Sequence, residues 1–129
     1  MLPFADASFD VVSCRAAFHH FPRLERILGE ICRVARPAAS IVIADLLGSE
    51  DSAKAAHHDH MERLCDPIHV RAIPETGFRR LFAAAGLEVR YAGKSPLDIT
   101  ERGLHQRMTA PATASTSAAS VVVLSIADT

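Results

Sequence analysis

The stretch that decides the fold is FDVVSCRAAFHHF, Phe9 to Phe21. It opens on strand formers, Phe9, Val11 and Val12, and passes through Ser13, Cys14 and Arg15 to the paired His19 and His20. LPFADAS (Leu2–Ser8), with Pro3 and Asp6, precedes it and reads as a loop feeding the strand. Pro22 follows and opens a helical pattern. The unit is a loop, a buried strand over Phe9–Cys14, and a polar crest at the strand's carboxyl end. Open α/β sheets bind ligands outside the carboxyl ends of their strands, so function is sought first at that crest.

Working outward, Arg23–Arg36 carries Leu24, Ile27, Leu28, Ile31, Val34 and Ala35 on one helical face, with Arg26 and Glu30 as an outer pair. Pro37 ends that helix. Ile41–Leu47 is a second strand, with Asp45 near its carboxyl end. Both strands are near-continuous apolar runs, as expected where a parallel sheet is covered on both faces. Asp10 sits at the amino end of its strand and reads as structural.

Gly48–Ser52 has helix-start chemistry, and a second helix runs over Ala53–Cys65 to the Asp66-Pro67 stop. Met61 and Leu64 are expected to face the body, with His57 on the side of Met61. Ile68–Ile73 is a connector carrying His69 and Arg71. Pro74, Glu75 and Thr76 start a third helix with Phe78, Leu81, Phe82 and Ala85 on one stripe, and Gly86 is a good residue to end it. Leu87–Tyr91 alternates as a half-buried strand suited to a sheet edge. Residues 99–120 read as a low-complexity linker, since Thr109–Ser120 is built from Ala, Ser, Thr and Pro. Val121–Ile126 is one more strand, within a tail over 121–129.

Composition narrows the function classes. A net charge of −1 gives no electrostatic footprint for nucleic acid. No apolar run approaches the roughly 18 residues that cross a membrane, and MLPFADAS has neither part of a signal peptide. Cys14, Cys32 and Cys65 form no C-x-x-C pair, which fits reduced thiols in the cytoplasm. His57, His58 and His60 invite a metal reading, but helical spacing turns His58 away from the other two. A zinc site needs three or four convergent ligands, so no metal is expected.

LPF (Leu2–Phe4), FDVV (Phe9–Val12), HHF (His19–Phe21), EICRVARP (Glu30–Pro37) and SIVIADLL (Ser40–Leu47) occur here in that order. In this combination the chain resembles the central and C-terminal part of a class I S-adenosylmethionine (AdoMet)-dependent methyltransferase. The resemblance is to the small-molecule branch that includes the quinone-biosynthesis enzymes, and it covers roughly the first 95 residues. It implies an α/β fold: a partial Rossmann-like sheet, from the family's fourth strand onwards, with flanking helices. Residues 1–98 would be the C-terminal half of the domain. The run Val121–Ile126 would insert antiparallel between the two preceding strands. The family usually has two glycines after the proline of EICRVARP; Ala38 and Ala39 stand there, at a steric cost if the turn needs positive φ.

The resemblance also implies a site. Residues after the first strand line the cofactor's methionine end and the substrate chamber, which makes Arg15 and Ala16 cofactor contacts and His19 and Arg71 substrate contacts. His20, His69 and Asp45 are the candidates for catalysis, since a base helps when the methyl acceptor is a phenol or an acidic carbon. The same histidines fit packing or capping roles equally well. The family's glycine-rich cofactor loop has no counterpart, because the chain holds no G-x-G-x-x-G-like run. The expectation is an AdoMet-dependent enzyme acting on a small molecule, truncated and inactive alone. It would be completed by a missing N-terminal half or by self-association. The alternative is a non-catalytic remnant or split-enzyme subunit that pairs with another chain through its sheet edge.

Overall fold

Described in the structure, a computed structural model, are residues 1–94 and the backbone of 120–126. The expected linker therefore lies outside the described residues, apart from Ser120. The elements run β1 (Phe9–Arg15), a 3-10 turn (Phe18–His20), α1 (Leu24–Val34), β2 (Ala35–Asp45), β3 (Leu47–Gly48), α2 (Ser52–Cys65), β4 (Ile73–Pro74), α3 (Glu75–Ala84), β5 (Leu87–Gly93) and β6 (Ser120–Ile126).

The main sheet has the order β1-β2-β6-β5. β1 lies parallel to β2, with Val12 opposite Ile41 and Cys14 opposite Ile43. β6 is inserted antiparallel between β2 and β5, pairing Val123 with both Val42 and Tyr91. β3 and β4 form a separate parallel pair beside it. That pair requires Gly48, since a Cβ there would lie 2.5 Å from the Ala72 carbonyl oxygen. The core joins Leu24, Leu28 and Ile31 of α1 to Phe78 and Phe82 of α3 over Ile41 and Ile43 of β2, with Phe18 from the turn.

The strands are covered less fully than their apolar runs suggest. β2 alternates, with Ala39, Ile41, Ile43 and Asp45 buried and Ser40, Val42 and Ala44 half-buried between them. β1 alternates too, and Val11 is 62% exposed. Among the described residues β1 has a neighbour on one side only. Among the described residues, α1 and α3 pack on the face of the sheet that carries Ile41 and Ile43.

The first helix stops at Val34, three residues before Pro37, and Ala35 to Pro37 already belong to β2. A proline disfavours helix at the residue before it, so Arg36 is extended. The ladder then jumps from Phe9–Ala35 to Val11–Ser40, and β2 absorbs its extra residues in a bulge. Ala38 sits in that bulge at φ 61°, the left-handed conformation its sequence position raised.

Glu30 pairs with Arg33 rather than with Arg26. Arg33 also binds the Asp6 carboxylate and the carbonyls of Leu2 and Phe4, while Glu30 accepts the Leu2 N–H. The Arg33 bond and the Leu2 amide hold the Glu30 carboxyl at about 2. Arg36 binds Asp10 and the Ala7 carbonyl. Asp10 thus has the structural role its strand position suggested. The LPF and E-x-x-R motifs, separate in sequence, form one clamp.

α2 faces the opposite way from expectation. Asp59 and Glu62 are its buried residues, and Met61 and Leu64 are 38% and 68% exposed. Its packing side is anchored by polar contacts through Asp59, described below, so the apolar pair is left outside. Asp51 caps the helix by accepting the Lys54 N–H, as its sequence suggested. Pro74 precedes α3, and Gly86 (φ 73°) follows it in the left-handed conformation.

A left-handed residue with a Cβ costs roughly 1 kcal/mol. Ala38→Gly is therefore expected to raise stability by about 1 kcal/mol, somewhat offset by the freer unfolded chain. Chemical denaturation checks it; an unchanged or lower midpoint would show that the bulge is not strained.

Candidate functional site

Strand β1 ends at Arg15, and the chain turns at once over the end of β2. Ala16 takes φ 49° and its N–H donates to the Ala44 carbonyl at 2.7 Å. The next two amides, Ala17 and Phe18, donate to Asp45 Oδ2 at 2.8 and 2.6 Å. The Leu46 N–H donates to Oδ1 at 2.8 Å, and His19 Nδ1 donates to the same oxygen at 2.5 Å. Asp45 is 1% exposed and holds four donors. It does not face an open chamber, as its position at the strand end had suggested. It ties the crest of β1 to the end of β2. Burial alone would raise its carboxyl, but the His19 bond and charge and the amides of Phe18 and Leu46 hold it below the usual range. The Cys14 thiol beside it is pushed up by burial and by the Asp45 charge.

A second buried pair stands behind the first. His69 is 4% exposed, and its Nε2 donates to Asp59 Oδ1 at 2.7 Å. The same oxygen accepts the Ala72 N–H at 2.8 Å. The amides of Val70 and Arg71 donate to the His19 carbonyl, at 2.8 and 3.1 Å. The connector between α2 and β4 is thereby drawn over the crest, and the His19 and His69 rings lie 5.4 Å apart. His69 is accordingly enclosed, not presented to a ligand. The Arg71 side belongs to an exposed residue.

His20 is placed differently. Its ring lies 3.9 Å from that of His19 and is partly exposed. Nδ1 contacts the Ile68 carbonyl at 3.3 Å, and Nε2 lies 3.6 Å from Asp66 Oδ2. One ligand atom each of His19, His20 and Asp66 fall within 4.8 Å of one another. Arg15 and Ala16 are exposed at the tip on the β1 side.

The structure thus brings His19, His20, His69 and Asp45 together at the carboxyl end of β1 and β2. Asp59 and Asp66 were missed by sequence reasoning. Asp66 reads there only as a helix stop, and 46 positions separate it from His20, so no local spacing could join them. Asp59 was hidden by the expectation that α2 packs through Met61 and Leu64. Of the three histidines set aside as metal ligands on α2, His57 and His60 are exposed and His58 faces Glu62 at 3.4 Å. The shallow cleft between α3 and β5, lined by Phe78, Phe82, Val89 and Lys94, is at the other end of the strand order from β1.

A parallel β1–β2 pair, an antiparallel last strand inserted beside it and a polar crest at the carboxyl ends define a Rossmann-like methyltransferase sheet. A methyltransferase-domain family profile matches residues 1–43. The uncharacterized methyltransferase YcgJ of Bacillus subtilis is 35% identical over 83 residues, which are 64% of this chain and 33% of YcgJ. The crystal structure of YcgJ superposes with a TM-score of 0.76 at 23% identity, over 98% of this chain and 67% of that one. The methyltransferase bound to the Trm112 methyltransferase activator of Haloferax volcanii superposes with a TM-score of 0.69 at 23% identity, over 98% of this chain and 57% of that one. The chain is thus similar in sequence to methyltransferases and has the Rossmann-like fold of class I methyltransferases. The match spans between 13% and 34% of the length of the curated relatives.

Truncating Asp45 strands three backbone amides and a buried histidine. Asp45→Ala is expected to cost about 3 kcal/mol at neutral pH, as for other broken buried pairs. The folded-state carboxyl lies below its ordinary value of 3.8, so its contribution is present above that value and is lost as pH falls below it. Denaturant unfolding of both proteins at several pH values checks this: the difference should shrink in acid, and a constant difference would contradict the assignment.

Proposed function

We propose that this chain is part of an AdoMet-dependent methyltransferase acting on a small molecule, and that it is inactive until a second segment covers β1. The observation that carries the reading is the β1 edge, unpaired among the described residues, beside the polar crest. An apolar strand with one unpaired side is a template for a further strand, and Val11 at 62% exposed and Phe4 at 49% exposed lie next to it. In this reading residues 1–98 are the C-terminal half of the domain, 99–120 a linker, and 121–129 the returning last strand and tail. The partner segment is an N-terminal half or a second copy. Cys14, Cys32 and Cys65 are free thiols, which fits the cytoplasm.

AdoMet supplies an activated methyl group on a sulfonium, so the protein's task is chiefly alignment. Arg15 and Ala16, exposed at the tip, would border the cofactor's methionine end. His20 is the candidate base: its ring is reachable, and Nδ1–H donation to Ile68 would leave Nε2 free to take a proton from the acceptor. His19 and Arg71 would border the acceptor. Asp45 and His69 would act through others, Asp45 by fixing His19 and the crest, His69 by fixing the connector.

Calorimetry of the chain with millimolar AdoMet is expected to give no heat of binding, and fusion of the preceding part of YcgJ before Met1 is expected to restore it. Equal binding by the chain alone would overturn the incomplete-site reading. A folded fusion that binds no AdoMet would overturn the methyltransferase reading.

A further inference from the structure

We propose that His19, His20 and Asp66 form a binding site for a divalent transition metal, with zinc as the best match. Three observations converge. The first is proximity: one ligand atom from each of the three residues lies within 4.8 Å of the other two, on segments 46 positions apart. The second is the state of the rings. His19 Nδ1 is bonded to the buried Asp45 carboxylate and His20 Nδ1 faces the Ile68 carbonyl. In both rings this fixes the proton on Nδ1 and leaves the Nε2 lone pair as the donor. Histidines that ligate metals through one nitrogen characteristically give the other N–H to a carboxylate or a backbone carbonyl. The third is the spacing between donors. His20 Nε2 and Asp66 Oδ2 are 3.6 Å apart, too far for a hydrogen bond. Two ligands of a tetrahedral zinc with bonds of about 2.0–2.1 Å lie about 3.3 Å apart, so the His20–Asp66 pair closes around an ion with a shift of a few tenths of an ångström, and His19 joins from within 4.8 Å.

Asp66 is itself oriented. Its Oδ1 accepts the Ile68 N–H at 3.2 Å, and its carbonyl accepts the His69 N–H at 3.0 Å. The set is two imidazoles and one carboxylate, which suits zinc and leaves a fourth position for water or an acceptor oxygen. It is distinct from the histidines of α2, which share a helix but not a point. Occupation of His20 Nε2 by metal takes the lone pair that proton acceptance would use, so loading would silence that base. The metal reading stands on geometry alone and does not rest on methyl transfer.

The test is titration of the full chain, freed of metal by chelation, with Zn²⁺ by calorimetry and with Co²⁺ by visible absorption. One equivalent should bind, with the d–d intensity of a four-coordinate Co²⁺ and no thiolate charge-transfer band. His20→Ala and Asp66→Ala should each weaken binding by roughly a hundredfold, the upper end of losses seen for weaker supporting groups. His57→Ala with His60→Ala should change nothing. In the unsubstituted chain, Zn²⁺ should move the Nε2 resonances of His19 and His20 in nitrogen NMR, a readout independent of whether the variants fold. The proposal is overturned if no equivalent binds, if His20→Ala and Asp66→Ala keep full affinity, or if the α2 double variant abolishes it.

Discussion

The structure depends on one buried carboxylate. Asp45, at the carboxyl end of β2, holds two amides of the crest, the amide that follows it and the Nδ1 of His19. A buried charge is tolerated when its lone pairs are filled, and here four donors fill them. The constraint works in both directions. It allows an ionised group in the interior, and it fixes the backbone of Ala16 to His19 over the sheet's end. That places His20 at the surface and turns the His19 carbonyl toward the connector, whose amides it accepts. The positions of His19 and His20 follow from that anchor, while His69 is held by Asp59.

The N-terminal segment is held by the same kind of economy. Arg33 has a guanidinium with donors in a fixed fork, and it spends them on Glu30, on Asp6 and on two carbonyls of the LPF loop. Lysine, with a single ammonium, could not span that set. Arg36, at the start of β2, repeats the arrangement with Asp10 and Ala7. Neither guanidinium lies at the crest, and both set how the chain enters β1. This accounts for the co-occurrence of LPF, FD and E-x-x-RV-x-R as a structural unit rather than as catalytic motifs.

Much of the fold was legible because local signals agreed. The strand after LPFADAS, the amphipathic first helix, the caps at Asp51 and Gly86, and the strand over Val121–Ile126 all stand where periodicity and turn chemistry put them. The exceptions have physical causes. The apolar runs of β1 and β2 suggested two covered faces, but sequence composition cannot show which neighbours are present. Met61 and Leu64 suggested the inner side of α2, yet the Asp59–His69 pair, joined across ten positions, decided the helix's rotation. At the site, HHF marked the right place. The roles were not legible, because whether a strand-end aspartate faces a ligand or its own backbone depends on the turn that follows another strand. Asp66 was hidden for the same reason: its partners come from a distant segment.

The account turns on Asp45 being an ionised group within the fold. The most direct measurement is the carbon-13 NMR titration of its side-chain carboxyl from neutral to acid pH while the protein remains folded. The account predicts a resonance that stays in the carboxylate state to below the ordinary value of 3.8, with the Phe18 and His19 signals shifting only as it protonates. Titration at or above 3.8, with those signals unmoved, would contradict it.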